Sequence, residues 1–144
     1  MMAIRRADLS DRNAVELVYA GATGSQLSLC DKEWERWISL AGLVVAEIDN
    51  RVVGFGSIDV SATEHLRWLY LLPEYQRAGL GSRILQALEE IAWLNGLKAI
   101  RLHSTPNAVQ FYAKLGYHRV AVHQQFGHDH DGVEMVKARP DSVF

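Results

Sequence analysis

Residues 69–95 read LYLLPEYQRAGLGSRILQALEEIAWLN, and this stretch limits the fold more than any other. Its first part completes the apolar run EHLRWLYLL, residues 64–72, which reads as a strand ended by Pro73. Its last part reads as an amphipathic helix from Gly81 to Asn95. Ile84, Leu85, Leu88, Ile91 and Ala92 form one stripe there, and Gly96 is the stop. Between the two lies QRAGLG, residues 76–81. A strand that runs through a glycine loop into a helix leaves the first helical N–H groups without partners, at the positive end of the helix dipole. Gly79 and Gly81 carry no Cβ, so an anion can come close to those groups. Gln76 and Arg77 add side-chain donors at the rim.

The rest of the chain builds a single α/β domain around that junction. MAIRRA is a short first strand. Residues 9–21 look helical, with Ser10 as N-cap and Gly21 as stop, and a loop follows. CDKEWERWISLAG is a second helix, with Trp34, Trp37, Ile38 and Ala41 on one face and Gly42 as its stop. The β-branched runs LVVAEI and VVGFGSIDV are joined by Asp49-Asn50-Arg51, a hairpin signature. KAIRLH is a strand. Thr105-Pro106 opens the helix NAVQFYAKL, which stops at Gly116. YHRVAVHQQF and VEMVKA read as a final antiparallel pair around GHDHDG. The expected order is βααβββαβαββ, one domain over residues 1–144 with a mixed central sheet flanked by about four helices.

Composition narrows the class. A chain of 144 residues, 49% apolar, can bury a core without metal or disulfide staples. A net charge of −2 advertises no nucleic-acid or membrane surface, and neither partner is expected. Cys30 is the one cysteine, so no internal disulfide can form. The opening MMAIRRADLS has no apolar signal core, and no apolar run approaches the roughly 18 residues of a membrane span. A soluble, cytoplasmic protein is expected.

Two nucleotide readings of the loop fail on specific partners. The phosphate loop of nucleotide hydrolases needs Lys-Ser/Thr after its last glycine, and Ser82-Arg83 stands here. The dinucleotide fingerprint needs a third glycine, and position 84 is Ile. A third reading has wider support. LYLLPEYQRAGLGSRIL, followed by NAVQFYAKLGY, resembles the GCN5-related N-acetyltransferase (GNAT) family. The phosphate-loop pattern falls on Gln76, Gly79 and Gly81. A second block falls on Asn107-Ala108, Phe111-Tyr112 and Gly116-Tyr117. Many members carry glycine at the position of Arg77 and a basic residue at that of Ala78.

The resemblance implies that the loop, Gln76, Arg77, Ala78, Gly79, Leu80, Gly81 and Ser82, cradles the pyrophosphate of acetyl-CoA. It implies that Tyr70, Leu71 and Leu72 hold the pantetheine arm through backbone hydrogen bonds, as an added strand would. Asn107 touches the arm further along. Tyr112 takes the position of the general acid that serves the departing thiolate. The implied acceptor is a primary amine, a small molecule or a peptide, attacked directly in a ternary complex.

For the base, Glu64 is the first candidate, with His65 and Asp59 beside it. Strand alternation sends Glu64 and His65 to opposite sides, and a water chain with no single base is also open. The alternative to an enzyme is a CoA-binding sensor or interaction module without catalysis. No metal is expected: the histidines of HQQFGHDHDG read as a solvated hairpin turn rather than a metal site. Trp34, Trp37 and Trp68 could line an acceptor pocket, although the spacing of the first two suits core packing equally well. Cys30 reads as a small buried or half-buried residue, and Arg5 and Arg6 as a solvated strand edge. The strand edges of 117–126 and 133–138 would allow a homodimer.

Overall fold

The computed structural model describes residues 1–40, 42–120 and 132–140. Strand β1 (Met2–Arg6) leads through a 3-10 turn at Leu9–Asp11 into helix α1 (Arg12–Thr23). Helix α2 (Asp31–Ser39) and strands β2 (Leu43–Ile48), β3 (Arg51–Ile58) and β4 (Leu66–Leu71) follow. Helix α3 (Leu80–Leu94), β5 (Ala99–Ser104), helix α4 (Val109–Lys114), β6 (His118–Arg119) and β7 (Val133–Ala138) come next. The α/β class is as expected, as are the four helices among the described residues.

The sheet is parted in two. Strands β1-β2-β3-β4 form one antiparallel group and β5-β7-β6 the other. The groups meet where the His65 N–H donates to Arg101 O at 2.9 Å and the Arg101 N–H donates to His65 Nδ1 at 2.9 Å. These bonds lie at the start of β4. Beyond them a cleft opens between the far end of β4 and the segment that follows β5.

Two cores fix this arrangement. Helices α1 and α2 cover one face of the first group, where Val15, Val18 and Trp34 are buried with Val45 and Phe55. Helix α3 covers the other face. Its stripe of Ile84, Leu85, Leu88, Ile91 and Ala92 packs with Val44 and Ala46 of β2 and with Ile100 and Leu102 of β5. One helix therefore spans both strand groups, and its N-terminus is held at the mouth of the cleft.

Several local expectations are revised. Asp8, not Ser10, caps the first turn, accepting from the Ser10 N–H at 2.9 Å, and α1 begins at Arg12. Helix α1 runs through Gly21 and stops at Gly24, which has φ 77° and donates its N–H to Ala20 O. Gly21 serves packing instead: a Cβ there would come within 2.7 Å of Leu72 Cδ2. Helix α2 ends at Ser39, before Gly42. The Asp49-Asn50 turn is as expected, with φ 51° and 68°, the left-handed pair of a tight hairpin. Arg5 is no solvated edge: it donates twice to Asp11, at 2.7 and 2.9 Å, and once to Glu47 at 2.7 Å. Cys30 is exposed rather than buried. Strand β6 pairs with β7 through His118 and Arg119. Residues 121–131, which hold most of the expected last hairpin and its histidines, lie outside the described residues.

Candidate functional site

The cleft has a volume of about 700 Å³. Its floor is β4. In an antiparallel pair, alternate residues turn their N–H and C=O toward the partner strand. The Leu72 N–H donates to Val53 O at 2.9 Å, which fixes the phase. Tyr70, two residues back and opposite Phe55, then also turns its backbone toward β3. Leu69 and Leu71 lie opposite Gly56 and Gly54, and turn theirs to the free edge. Both line the cleft. The Leu71 carbonyl accepts from Gln76 Nε2 at 3.3 Å.

The donor strand expected at residues 70–72 is thus resolved residue by residue. Leu71 offers the cleft a free N–H. Leu72 does not: its N–H goes to Val53, and its carbonyl accepts from the Tyr75 N–H at 2.9 Å. The Tyr70 side chain lies on the opposite face, edge-on to Tyr19 at 5.1 Å and beside Phe55 at 5.8 Å.

The anion end is built by backbone geometry. Gly79 takes φ 82° and stands as N-cap of α3 with no side-chain cap bond. The Arg83 N–H closes the first turn onto Gly79 O at 3.3 Å. The N–H groups of Leu80, Gly81 and Ser82 therefore have no partner inside the helix. Ser82 Oγ donates to Gly79 O at 2.9 Å. Gly81 matters for room: a Cβ there would lie 3.4 Å from Phe111 Cζ and 3.6 Å from Leu71 Cδ1, on the cleft side. Arg77 takes φ 66°, a backbone state that suits glycine better. Gln76, Arg77, Gly79, Gly81 and Ser82 line the cleft. The exposed Ala78 and the Leu80 side chain, 3% exposed in the core, do not.

The facing wall comes from the segment after β5. Pro106–Ala108 forms a 3-10 turn that brings Asn107 to the cleft, and α4 adds Phe111, Tyr112 and Lys114, with its C-cap Leu115. Tyr112 is 7% exposed. Burial first, and then the electrostatic influence of the Tyr70 phenol, push its phenol up to about 12. A group so placed stays protonated across the neutral range and keeps its O–H available as a donor.

The base candidates lie elsewhere. Glu64 is held on β5: its Oε1 accepts from the His103 N–H at 3.2 Å and its Oε2 lies 2.9 Å from His103 Nδ1. It does not line the cleft. Asp59 is 8% exposed and turned onto Ser61, accepting from its N–H at 3.0 Å and its Oγ at 2.6 Å. His65 uses Nδ1 as an acceptor for the Arg101 N–H. Trp34 is core, with its Nε1–H bonded to Leu9 O at 3.1 Å, while Trp37 and Trp68 pack at 5.1 Å, tilted by 41°, on the α2 face of β4.

Leu69 and Lys114 are cleft residues that the sequence did not single out. The first was recoverable from strand alternation, two residues before Leu71. Phe111, one residue before Tyr112, is half-buried and lines the cleft. Among the described residues no group of three or more His, Cys, Asp or Glu could hold a metal ion. No helix there is long and apolar enough to cross a membrane.

The family model of the acetyltransferase (GNAT) domain matches residues 16–139. The chain belongs to the GNAT family. The GNAT chain is 32% identical over 120 residues to mycothiol acetyltransferase of Streptomyces coelicolor, covering 80% of this chain and 36% of that protein. It is 40% identical over 70 residues to the protein YyaT of Bacillus subtilis, covering 48% of this chain and 47% of that one. The chain spans less than half the length of these relatives. In fold it is similar to the PaiA N-acetyltransferase of Thermoplasma acidophilum in complex with coenzyme A. The TM-score there is 0.72 at 20% identity, over 96% of this chain and 99% of that one.

Proposed function

We propose that this GNAT chain is an acetyl-CoA-dependent N-acetyltransferase that moves the acetyl group to a primary amine by direct attack. One observation carries the reading: the free edge of β4, the open N-terminus of α3 and the Tyr112 phenol all face one cleft. A pantetheine arm is an amide-bearing chain, and it would pair with the Leu69 and Leu71 backbone as an extra strand. The pyrophosphate would lie on the N–H groups of residues 80–82, with Gln76 and Arg77 at the rim. The relative solved with coenzyme A supports that donor.

In the reaction the neutral amine attacks the thioester carbonyl, a C–N bond forms, and the C–S bond breaks. The amine's extra proton passes to solvent. The thiolate leaves beside Tyr112. With the phenol at about 12 and a thiol near 8.5, complete proton transfer to sulfur is uphill. The phenol therefore works mainly as a hydrogen-bond donor to sulfur while negative charge develops. Glu64 is given no step, since His103 engages both of its oxygens.

The test is a titration of acetyl-CoA followed by thermal unfolding, then a panel of amines assayed for free CoA thiol. A rise in Tm and thiol release with at least one amine are expected. No stabilisation at millimolar acetyl-CoA would overturn the donor, and binding without thiol release would make the chain a CoA-binding module. Tyr112→Phe should lower kcat by about 100-fold with acetyl-CoA affinity within twofold, and Glu64→Gln should change kcat by less than about twofold. Because the phenol is held up to about 12, kcat should show no alkaline fall through pH ~10. A fall centred near 9 would remove Tyr112 from the step.

A further inference from the structure

Tyr112 is gripped by two rings. Phe111 meets it at 5.0 Å and Tyr117 at 5.7 Å, both edge-on at 74° and 72°. Phe111 belongs to the cleft wall, whereas Tyr117 stands behind Tyr112, 1% exposed. The Tyr117 N–H also donates to Tyr112 O at 3.1 Å, so ring and backbone of the two residues are joined.

Packing alone would need only an aromatic ring at position 117 and an apolar side chain at 89. The chain instead places a buried polar network there. The Tyr117 hydroxyl donates to Glu89 Oε2 at 2.9 Å, and Lys137 Nζ donates to both Glu89 oxygens, at 3.1 and 3.2 Å. Lys137 Nζ also lies 5.8 Å from the Tyr117 ring centre. Glu89 is 7% exposed. Removing a carboxylate from water is costly unless it is paired and bonded, and this one is both. Burial, together with the neighbouring Glu89 carboxylate, holds the Tyr117 phenol above its ordinary value, so the donor is never lost at working pH.

A satisfied buried network specifies one geometry. This one ties α3, β7 and the turn after α4 to a single ring, and that ring backs the phenol of the cleft. Productive sites hold their groups within about 0.5 Å and 10–20°. We propose that Glu89, Tyr117 and Lys137 are positioning residues for Tyr112: they lock the Tyr117 ring edge-on against it, and so fix where the Tyr112 hydroxyl stands in the cleft. The proposal rests on the acyl-transfer reading of Tyr112, and none of the three residues touches the donor.

The test is a double-mutant cycle read by kinetics and by NMR. Tyr117→Phe keeps the ring and removes the hydroxyl. Glu89→Gln keeps the shape and removes the charge. Each should lower kcat about tenfold with KM for acetyl-CoA within twofold. In a Tyr112→Phe background, Tyr117→Phe should cost nothing further, because the group it positions is gone. An unchanged kcat in Tyr117→Phe, or losses that multiply in the double variant, would overturn the proposal. A second readout needs no turnover. In protein labelled with 13Cζ-tyrosine, the Tyr112 resonance should shift or broaden in Glu89→Gln; a superimposable signal would overturn the proposal. If the wild-type chain releases no thiol with any amine, the acyl-transfer reading falls, and the Tyr112 resonance alone decides whether the set positions this ring.

Discussion

At the scale of single residues, the two loop glycines do different work. Gly79 holds a left-handed backbone with open space around its missing Cβ, so its constraint is conformational. Gly81 is an ordinary helical residue whose missing Cβ leaves room in the cleft. Gly79→Ala should therefore cost about 1–2 kcal/mol of stability. Gly81→Ala should leave stability equal or raise it by up to about 1 kcal/mol, yet weaken acetyl-CoA binding at least fivefold. Denaturant midpoints and a binding titration on both variants check this. A Gly81→Ala chain that binds as tightly as wild type would contradict the assigned role. Leu71, Gly79, Gly81 and Tyr112 all line the cleft; the glycine pattern of the loop pointed to the two glycines, and the family resemblance to the other two. Sequence alone could not find the state of Glu64, whose partner His103 lies 39 residues away on another strand.

At the scale of elements, strands and helices were legible where their period was long and clean, as in α3, and less so at their ends. Gly21 looked like a helix stop because a glycine after an apolar face usually is one. Here the close approach of Leu72 overrides that rule. Arg5 looked solvated because Asp11 and Glu47 reach it only after the chain has folded back. The join of β4 to β5 carries its own pH dependence. Burial first, then Arg101, lower the His65 pKa, and its Nδ1 must be free of a proton to accept from Arg101. The folded value lies below the unfolded one, so the stabilisation is complete above about pH 6.5 and is lost as pH falls through the depressed value. Denaturant midpoints compared between pH 7.5 and 5.5 should fall in wild type and fall less in His65→Gln. An equal fall in both would place the effect elsewhere.

At the scale of the whole molecule, the class and element order were readable because apolar periods and turn residues mark elements one at a time. The division into two strand groups was not, since no local signal says which strand edges stay unpaired. The cleft draws one wall from β4 of the first group and the other from the α4 segment that links β5 to β6, so a donor bound there bridges the two. Acetyl-CoA at 100 times its Kd should add about 2.7 kcal/mol of stability and slow amide exchange in β4 and in α4 together. Protection confined to one side would argue against a bridging pose.

The two-sided character of β4 has one more consequence. Trp68 and Tyr70 serve the aromatic face, and Leu69 and Leu71 the cleft. Between the irregularity near Arg67 and Pro73 the strand can therefore absorb many substitutions but no change of length. One inserted or deleted residue would exchange the two faces at a stroke, handing the cleft a row of rings and the aromatic face the leucines. Across evolutionary time, this segment should vary in letters while its spacing stays fixed.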